Sequence, residues 1–264
     1  MGSEMCIRDS SHPGRKRAHH RSTCFHDVSE GSGSQEPRRV IAVMAKRPAP
    51  GTTKTRLSPA LSPECAAGLY EAMLADTIGM LAARTDCETV IAVDELSSVE
   101  YFSTRWPELA QVMQGPGPLG DRLDNVLGSL LDQGYQQTFA INSDGPDLPP
   151  EHLTNAFSTL DEPDVDVVLG PTDDGGYYLI GWKARWRPMV SDVTMSTPEV
   201  FADTVRIAEQ IGARVGLAPS WFDVDLVDDL SRLRASLGNS KTATADFIDS
   251  SLAGILADLP TPPS

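Results

Sequence analysis

The chain has 264 residues, 40% of them hydrophobic and 22% charged, with a formal net charge of -15 at pH 7. That length supports a large domain with a real core and excludes a disulfide-held miniprotein. Even the helix-like stretch 66–83 carries Glu71 and Asp76, so no segment offers the roughly 20 uninterrupted apolar residues of a membrane span.

Charge is unevenly placed. Residues 1–39 hold seven Lys/Arg against five Asp/Glu, whereas residues 40–264 hold 15 against 32, a net -17. Such a body repels nucleic-acid backbones and anionic lipid surfaces, because non-specific affinity for either comes from clustered Lys and Arg. Neither nucleic acid nor membrane is an expected partner. Cys6, Cys24, Cys65 and Cys87 form no C-x-x-C pair, which suits a reducing, cytoplasmic setting and argues against a structural zinc site.

Residues 1–36 contain no apolar run, hold four of the five histidines and end in a Gly/Ser stretch. That composition cannot bury enough surface to order itself, so the tail over 1–38 is expected to be disordered. The RKRAHHR run lacks the apolar stretch of a secretory signal, and a mis-called start or an added extension explains the tail better than targeting.

From Val40 on, VIAVMA (40–45), TVIAVD (89–94), QTFAIN (137–142), DVVLGP (166–171) and YYLIGW (177–182) read as strands, with a short one near 214–218. Helices are predicted at about 63–84, 97–105, 120–133, 150–160, 197–211, 226–237 and 241–257. Ser62-Pro63 and Thr197-Pro198 each place a capping oxygen before a proline in the first helical position. Strands alternating with helices mean βαβ units. The expected fold over 39–260 is therefore a single α/β domain with a doubly wound, mostly parallel sheet, and ligands belong beyond the carboxyl ends of its strands.

The loop after the first strand, KRPAPGTTKTRL (46–57), holds Lys46, Arg47, Lys54 and Arg56 and no acid. Gly51 lets the backbone turn closely, and Thr52, Thr53 and Thr55 add hydroxyl donors, so the loop suits a polyphosphate. It is not a Walker A loop, since Pro48 and Thr53 stand where glycines are required. A merely solvated charged loop is the plainer alternative.

Beyond QTFAIN, the loop SDGPDLPP places Asp144 and Asp147 at a strand tip. Mg²⁺ or Mn²⁺ needs only one or two protein carboxylates when phosphate oxygens and water complete its shell, although Asp147 would equally suit a helix cap. In WFDVDLVDDL (221–230), Asp223 and Asp225 share one face of an extended segment, and Asp225 could reach the same ion from the other side. The alternative is that Asp225 or Asp228 favours the positive end of the next helix.

GPTDDGGYYLIGW (170–182) joins Asp173 and Asp174 to Gly175 and Gly176, which permit close approach, and to Tyr177 and Tyr178, suited to a sugar or base. It reads as a substrate-contacting hairpin, or more plainly as a turn before a strand with core aromatics. In GPGPLGDRLDNVL (115–127), Gly120 and Arg122 begin a helix whose amides could face an anion. His152 lies within a predicted helix, so no Ser-His-Asp arrangement can be assembled.

Taken in order, VMAKRPAPGTTKTRL, PLGDRL, NSDGPDLPP, GPTDDGGYYLIG and FDVDLVDDL resemble the motifs of the glycosyltransferase-like proteins called radical-SAM/selenodomain-associated transferase 1. These belong to the GT-A, nucleotide-diphospho-sugar transferase superfamily. The resemblance, over about 40–237, implies that Asp144 and Asp225 hold Mg²⁺ or Mn²⁺ against a nucleotide diphosphate or triphosphate, while Lys54 and Arg56 neutralise phosphate charge. Lys46, Gly51, Thr55, Gly120, Arg122, Gly175, Gly176 and Tyr177 would complete the nucleotide site, with Asp174 the candidate general base. Two positions depart from the family pattern: Asn142-Ser143 stands for Gly-Ser, and Met195 for a tryptophan.

The implied activity is transfer of a glycosyl group from a nucleotide sugar to a small-molecule acceptor. The alternatives are nucleotidyl transfer from an NTP, similar to 2-phospho-L-lactate or molybdenum-cofactor guanylyltransferase, and nucleotide binding without turnover.

Overall fold

The structure, a computed structural model, describes residues 37–58 and 60–257. Apart from Pro37 and Arg38, the tail expected over 1–38 lies outside the described residues.

Strand β1 (Arg39–Ala45) turns Ile41, Val43 and Ala45 to one face of the sheet and Val40 and Ala42 to the other, and all five are fully buried. Burial on both faces is why the run is continuously apolar. It is flanked by β2 (Glu88–Val93) and β4 (Gln137–Ile141), both parallel to it. With β3 (Ala110–Met113), β5 (Val167–Pro171), β6 (Tyr177–Trp182) and β7 (Val215–Leu217), the strands form one seven-stranded sheet in the order β3-β2-β1-β4-β6-β5-β7. Only β6 runs antiparallel to its neighbours. Residues 172–176 are too short for the crossover a parallel pair needs, so β5 and β6 close as a hairpin.

Helices α1 (Pro63–Ala82), α2 (Val99–Arg105) and α4 (Pro150–Asp161) cover one face, with Leu74, Ile78, Phe102, Leu153 and Phe157 packed against it. Helices α3 (Leu119–Asp132), α5 (Pro188–Ser191) and α6 (Val200–Ile211) cover the other through Leu123, Leu127, Val190 and Ile207. The sheet is thus doubly wound and mostly parallel, as the alternation of strands and helices requires. Helix α7 (Val227–Leu237), α8 (Ala243–Phe247), a π-helical turn (Ile248–Leu252) and α9 (Ala253–Ala257) add an outer layer on α1, joined by Leu69, Met73, Leu230, Leu233 and Ile248.

Helix α1 starts as its sequence predicts: Pro63 is in the first turn, and the Ser62 hydroxyl accepts from the Cys65 amide at 3.2 Å. The similar Thr197-Pro198 does not start a helix. The Thr197 hydroxyl donates to the Thr194 carbonyl, and α6 begins at Val200 without a side-chain cap. Instead the Gly175 carbonyl accepts from the Phe201 amide at 2.9 Å, so the β5–β6 turn satisfies an orphan donor of the helix. Strand β3 was not expected, because at the sheet edge Ala110 is exposed and its neighbours half-buried, leaving no apolar alternation to read.

Candidate functional site

The carboxyl ends of β1, β4 and β5 point the same way, and the loops beyond them surround a cleft of about 700 Å³. The β1 loop is organised around one carbonyl. Ala49 accepts from the amides and hydroxyls of both Thr52 and Thr53, a knot that needs Gly51 at φ 76°. Lys54 follows in the left-handed region at φ 49°, a sparsely populated conformation for a lysine. A 3₁₀ turn, Thr55–Leu57, then anchors the loop through buried Leu57.

That backbone aims Lys54 inward. Its side chain is only 4% exposed, and its ammonium lies 2.5 Å from Asp144 and 3.0 Å from Asp225. It also donates to the Val224 carbonyl at 2.7 Å. Burial alone would lower the lysine's pKa, but the two carboxylates outweigh it and hold the group above its ordinary range. Arg56, mostly exposed, reaches Asp225 at 3.4 Å.

The acids are fixed by backbone. The Val224 amide donates to the Asp144 carbonyl at 2.9 Å, which docks the segment carrying Asp223 and Asp225 onto the tip of β4. Asn142 donates from Nδ2 to both oxygens of Asp223, at 2.9 and 3.0 Å. Burial and the nearby Asp144 push the Asp223 carboxyl up to about 7. Asp225 and Leu226 offer their amides to Asp229, which caps α7. Asp147 turns away, accepting from the Trp221 indole at 3.3 Å, and it makes no cap on α4.

Among the described residues no three His, Cys, Asp or Glu side chains are grouped to hold a metal ion. The donor set still fits a hard divalent ion that completes its shell with phosphate and water, because Asp144 and Asp225 each reach within 3.0 Å of one nitrogen and are close enough to share a cation. Lys54 stands in that position here.

Two residues without a sequence signal tie the loops together. Tyr70 of α1 accepts from the Lys46 amide at 3.2 Å and shares a 3.0 Å hydrogen bond with Ser143. Gln114, 2% exposed, donates from Nε2 to the Ala45 and Ala92 carbonyls, and its side-chain Oε1 accepts from Arg122 at 3.0 Å. It closes the ends of β1 and β2 and orients Arg122 along the cleft.

The cleft is lined by Lys46, Lys54, Thr55, Arg56, Arg122, Asp144, Asp174, Gly176, Tyr177, Asp223 and Asp225. Three glycines with predicted ligand roles are placed otherwise. A Cβ on Gly120 would lie 1.9 Å from the Val190 carbonyl oxygen, and one on Gly175 would lie 1.9 Å from that of Pro198, so both serve close packing. Gly51 serves the β1 loop turn. Asp174 Oδ1 accepts from the Thr172 hydroxyl at 2.6 Å and the Gly176 amide at 3.1 Å, closing the turn. Tyr178 faces the core, donating to the Pro219 carbonyl, while His152 packs beside Trp221.

A protein of Desulfovibrio desulfuricans G20, provisionally described as a nucleotide-diphospho-sugar transferase, superposes with a TM-score of 0.76 at 29% identity. The match covers 82% of this chain and 96% of that one. The fold is of the nucleotide-diphospho-sugar transferase type. CMP:2-keto-3-deoxy-manno-octonic acid synthetase, solved with CTP, shares it with a TM-score of 0.52 at 14% identity over 77% of this chain and 100% of that one. In sequence, 2-phospho-L-lactate guanylyltransferase of Methanothermobacter thermautotrophicus is 27% identical over 183 residues, 68% of this chain and 78% of its own length. The family described as "Uncharacterized protein conserved in bacteria (DUF2064)" matches residues 77–197. That span includes Asp144 and Asp174 but neither Lys54 nor Asp225. Among the described residues, no helix is long and apolar enough to cross a membrane.

Proposed function

We propose that this protein is a metal-dependent transferase that binds a nucleotide sugar and passes its glycosyl group to an acceptor hydroxyl, in keeping with the transferases its five motifs resemble. The observation that carries the reading is Lys54, buried between Asp144 and Asp225 where the β1 loop, the tip of β4 and the 221–225 segment meet. Asp144 and Asp225 would hold Mg²⁺ or Mn²⁺, which supplies charge stabilisation to the departing diphosphate. Arg56 and Lys46 would face the phosphates, joined by Lys54 once the metal takes its place between the carboxylates, and Arg122, held by Gln114, would border the nucleotide. The bond from the sugar C1 to the diphosphate breaks, a bond from the acceptor oxygen to C1 forms, and the hydroxyl proton passes to Asp174.

Nucleotidyl transfer is the second reading, favoured by the guanylyltransferase relative and by four basic residues in one loop, which suit a triphosphate. Thermal shifts with nucleotides and nucleotide sugars, with and without Mg²⁺ or Mn²⁺, test the site. Binding raises the melting temperature by mass action, and Asp144→Ala is expected to abolish the metal-dependent part. Release of nucleoside diphosphate from a UDP- or GDP-sugar supports glycosyl transfer, whereas pyrophosphate release from an NTP sinks it in favour of the second reading.

A further inference from the structure

The cleft is electrostatically divided. Its lining cations, Lys46, Lys54, Arg56 and Arg122, come from the β1 loop and α3. The other wall is built by the β5–β6 turn and residues 195–198, which pack together where the Gly175 Cα meets the Pro198 carbonyl. Since β6 and β5 lie beyond β4 from β1 in the sheet, this wall stands across the β4 tip from the basic loop. It contributes Thr172, Asp174, Ser196 and Thr197, with apolar surface from Tyr177, Met195 and Pro198, and no basic side chain.

Arginines on neighbouring elements are engaged elsewhere: Arg122, whose helix α3 abuts Met195, donates to the Gln114 side chain at 3.0 Å, Arg232 is paired with Asp173 at 2.7 Å and Arg187 with Asp121 at 3.3 Å. Asp174 spends Oδ1 on its own turn, and no donor among the described residues bonds to Oδ2. This wall therefore offers a carboxylate oxygen without a donor, three hydroxyl oxygens and apolar patches. Such a surface hydrogen-bonds hydroxyl or ammonium donors, and it leaves a bound phosphate or carboxylate without a counter-charge beside Asp174.

We infer that the acceptor is an uncharged or cationic polyhydroxy compound, such as a polyol or amino sugar, bearing neither phosphate nor carboxylate. This rests on the transferase reading above and deepens it. It separates the chain from the phospholactate in the name of its Methanothermobacter relative.

The test incubates the full chain with Mg²⁺, nucleotide-sugar and NTP donors, and an equimolar pool of neutral polyols, amino sugars and phospho-acids including 2-phospho-L-lactate, with products read by mass. Products on polyols or amino sugars, at least tenfold more abundant than any on a phospho-acid, are expected. A smaller preference, product on a phospho-acid, or no product on the neutral and cationic members overturns the inference. A nucleotide-induced thermal shift measured on the same sample tells the two failures apart. If the shift is present and the acceptor result is adverse, only the acceptor class falls; if the shift is absent, the transferase reading falls too.

Discussion

The ammonium of Lys54 lies 2.5 Å from a carboxylate oxygen of Asp144, so the basic loop and the acidic loop neutralise each other in the free protein. With Asp225 at 3.0 Å from the same nitrogen, one buried cation holds two carboxylates in the positions a divalent ion would use.

Lys54→Met is therefore expected to destabilise the protein by about 3 kcal/mol in the presence of EDTA, the usual cost of stripping a buried charge of its partner. Millimolar Mg²⁺ or Mn²⁺ should recover part of that loss in urea unfolding, and more in the variant than in the wild type. Equal metal responses in the two proteins would rule out a cation shared by Asp144 and Asp225.

Asp223 makes stability depend on pH. Its carboxyl is raised to about 7 in the fold, against about 4 when unfolded. The neutral form is therefore favoured by folding, and its stabilisation is complete below about pH 4 and lost as pH rises through about 7. In metal-free buffer the melting temperature of the wild type should fall relative to that of Asp223→Asn between pH 5 and 8. A constant difference over that range would contradict the buried position beside Asp144.

Gly175→Ala and Gly51→Ala separate two kinds of glycine. Both positions have positive φ, 88° and 76°. A methyl at Gly175 meets the Pro198 carbonyl at 1.9 Å, while one at Gly51 meets nothing within 4 Å. Gly51→Ala should cost about 1 kcal/mol from backbone preference, and Gly175→Ala about 3 kcal/mol once the clash is added. Chemical denaturation of the pair checks the order.

Gln114→Ala should cost about 1–3 kcal/mol, because the buried carbonyls of Ala45 and Ala92 lose their shared donor. It also frees Arg122, so the nucleotide-induced thermal shift should shrink even after the lower starting stability is taken into account. An unchanged shift would show that Arg122 needs no support from Gln114.

The strands with both faces buried were legible because each is a short run of β-branched, aromatic and other apolar residues; Val40 to Ala45 could hardly be anything else. β3 was not legible, since an edge strand with Gln111 at its centre has no pattern distinguishable from a loop. Asp144, Asp174 and Asp225 could be assigned to strand ends from spacing and motif, and the fold brings them to one cleft. What spacing could not supply was direction. Lys54 was expected to face a phosphate, but its left-handed backbone turns it onto the carboxylates first. Gly120 and Gly175 carried the signature of close approach, yet the approaching group is a carbonyl of the same chain. Asn142 was notable only as a departure from a motif, and its purpose, bracing Asp223, depends on a contact across 81 residues.

The hydrogen bond from the Val224 amide to the Asp144 carbonyl has a consequence for biosynthesis. A chain leaving the ribosome exposes its lysine-bearing loop first and the β4 aspartate next, but the third participant follows only after α4, the β5–β6 hairpin, α6 and β7. Until then Lys54 lacks half of its counter-charge and the cavity lacks a side. The cleft is thus completed only once segments far apart along the chain have met.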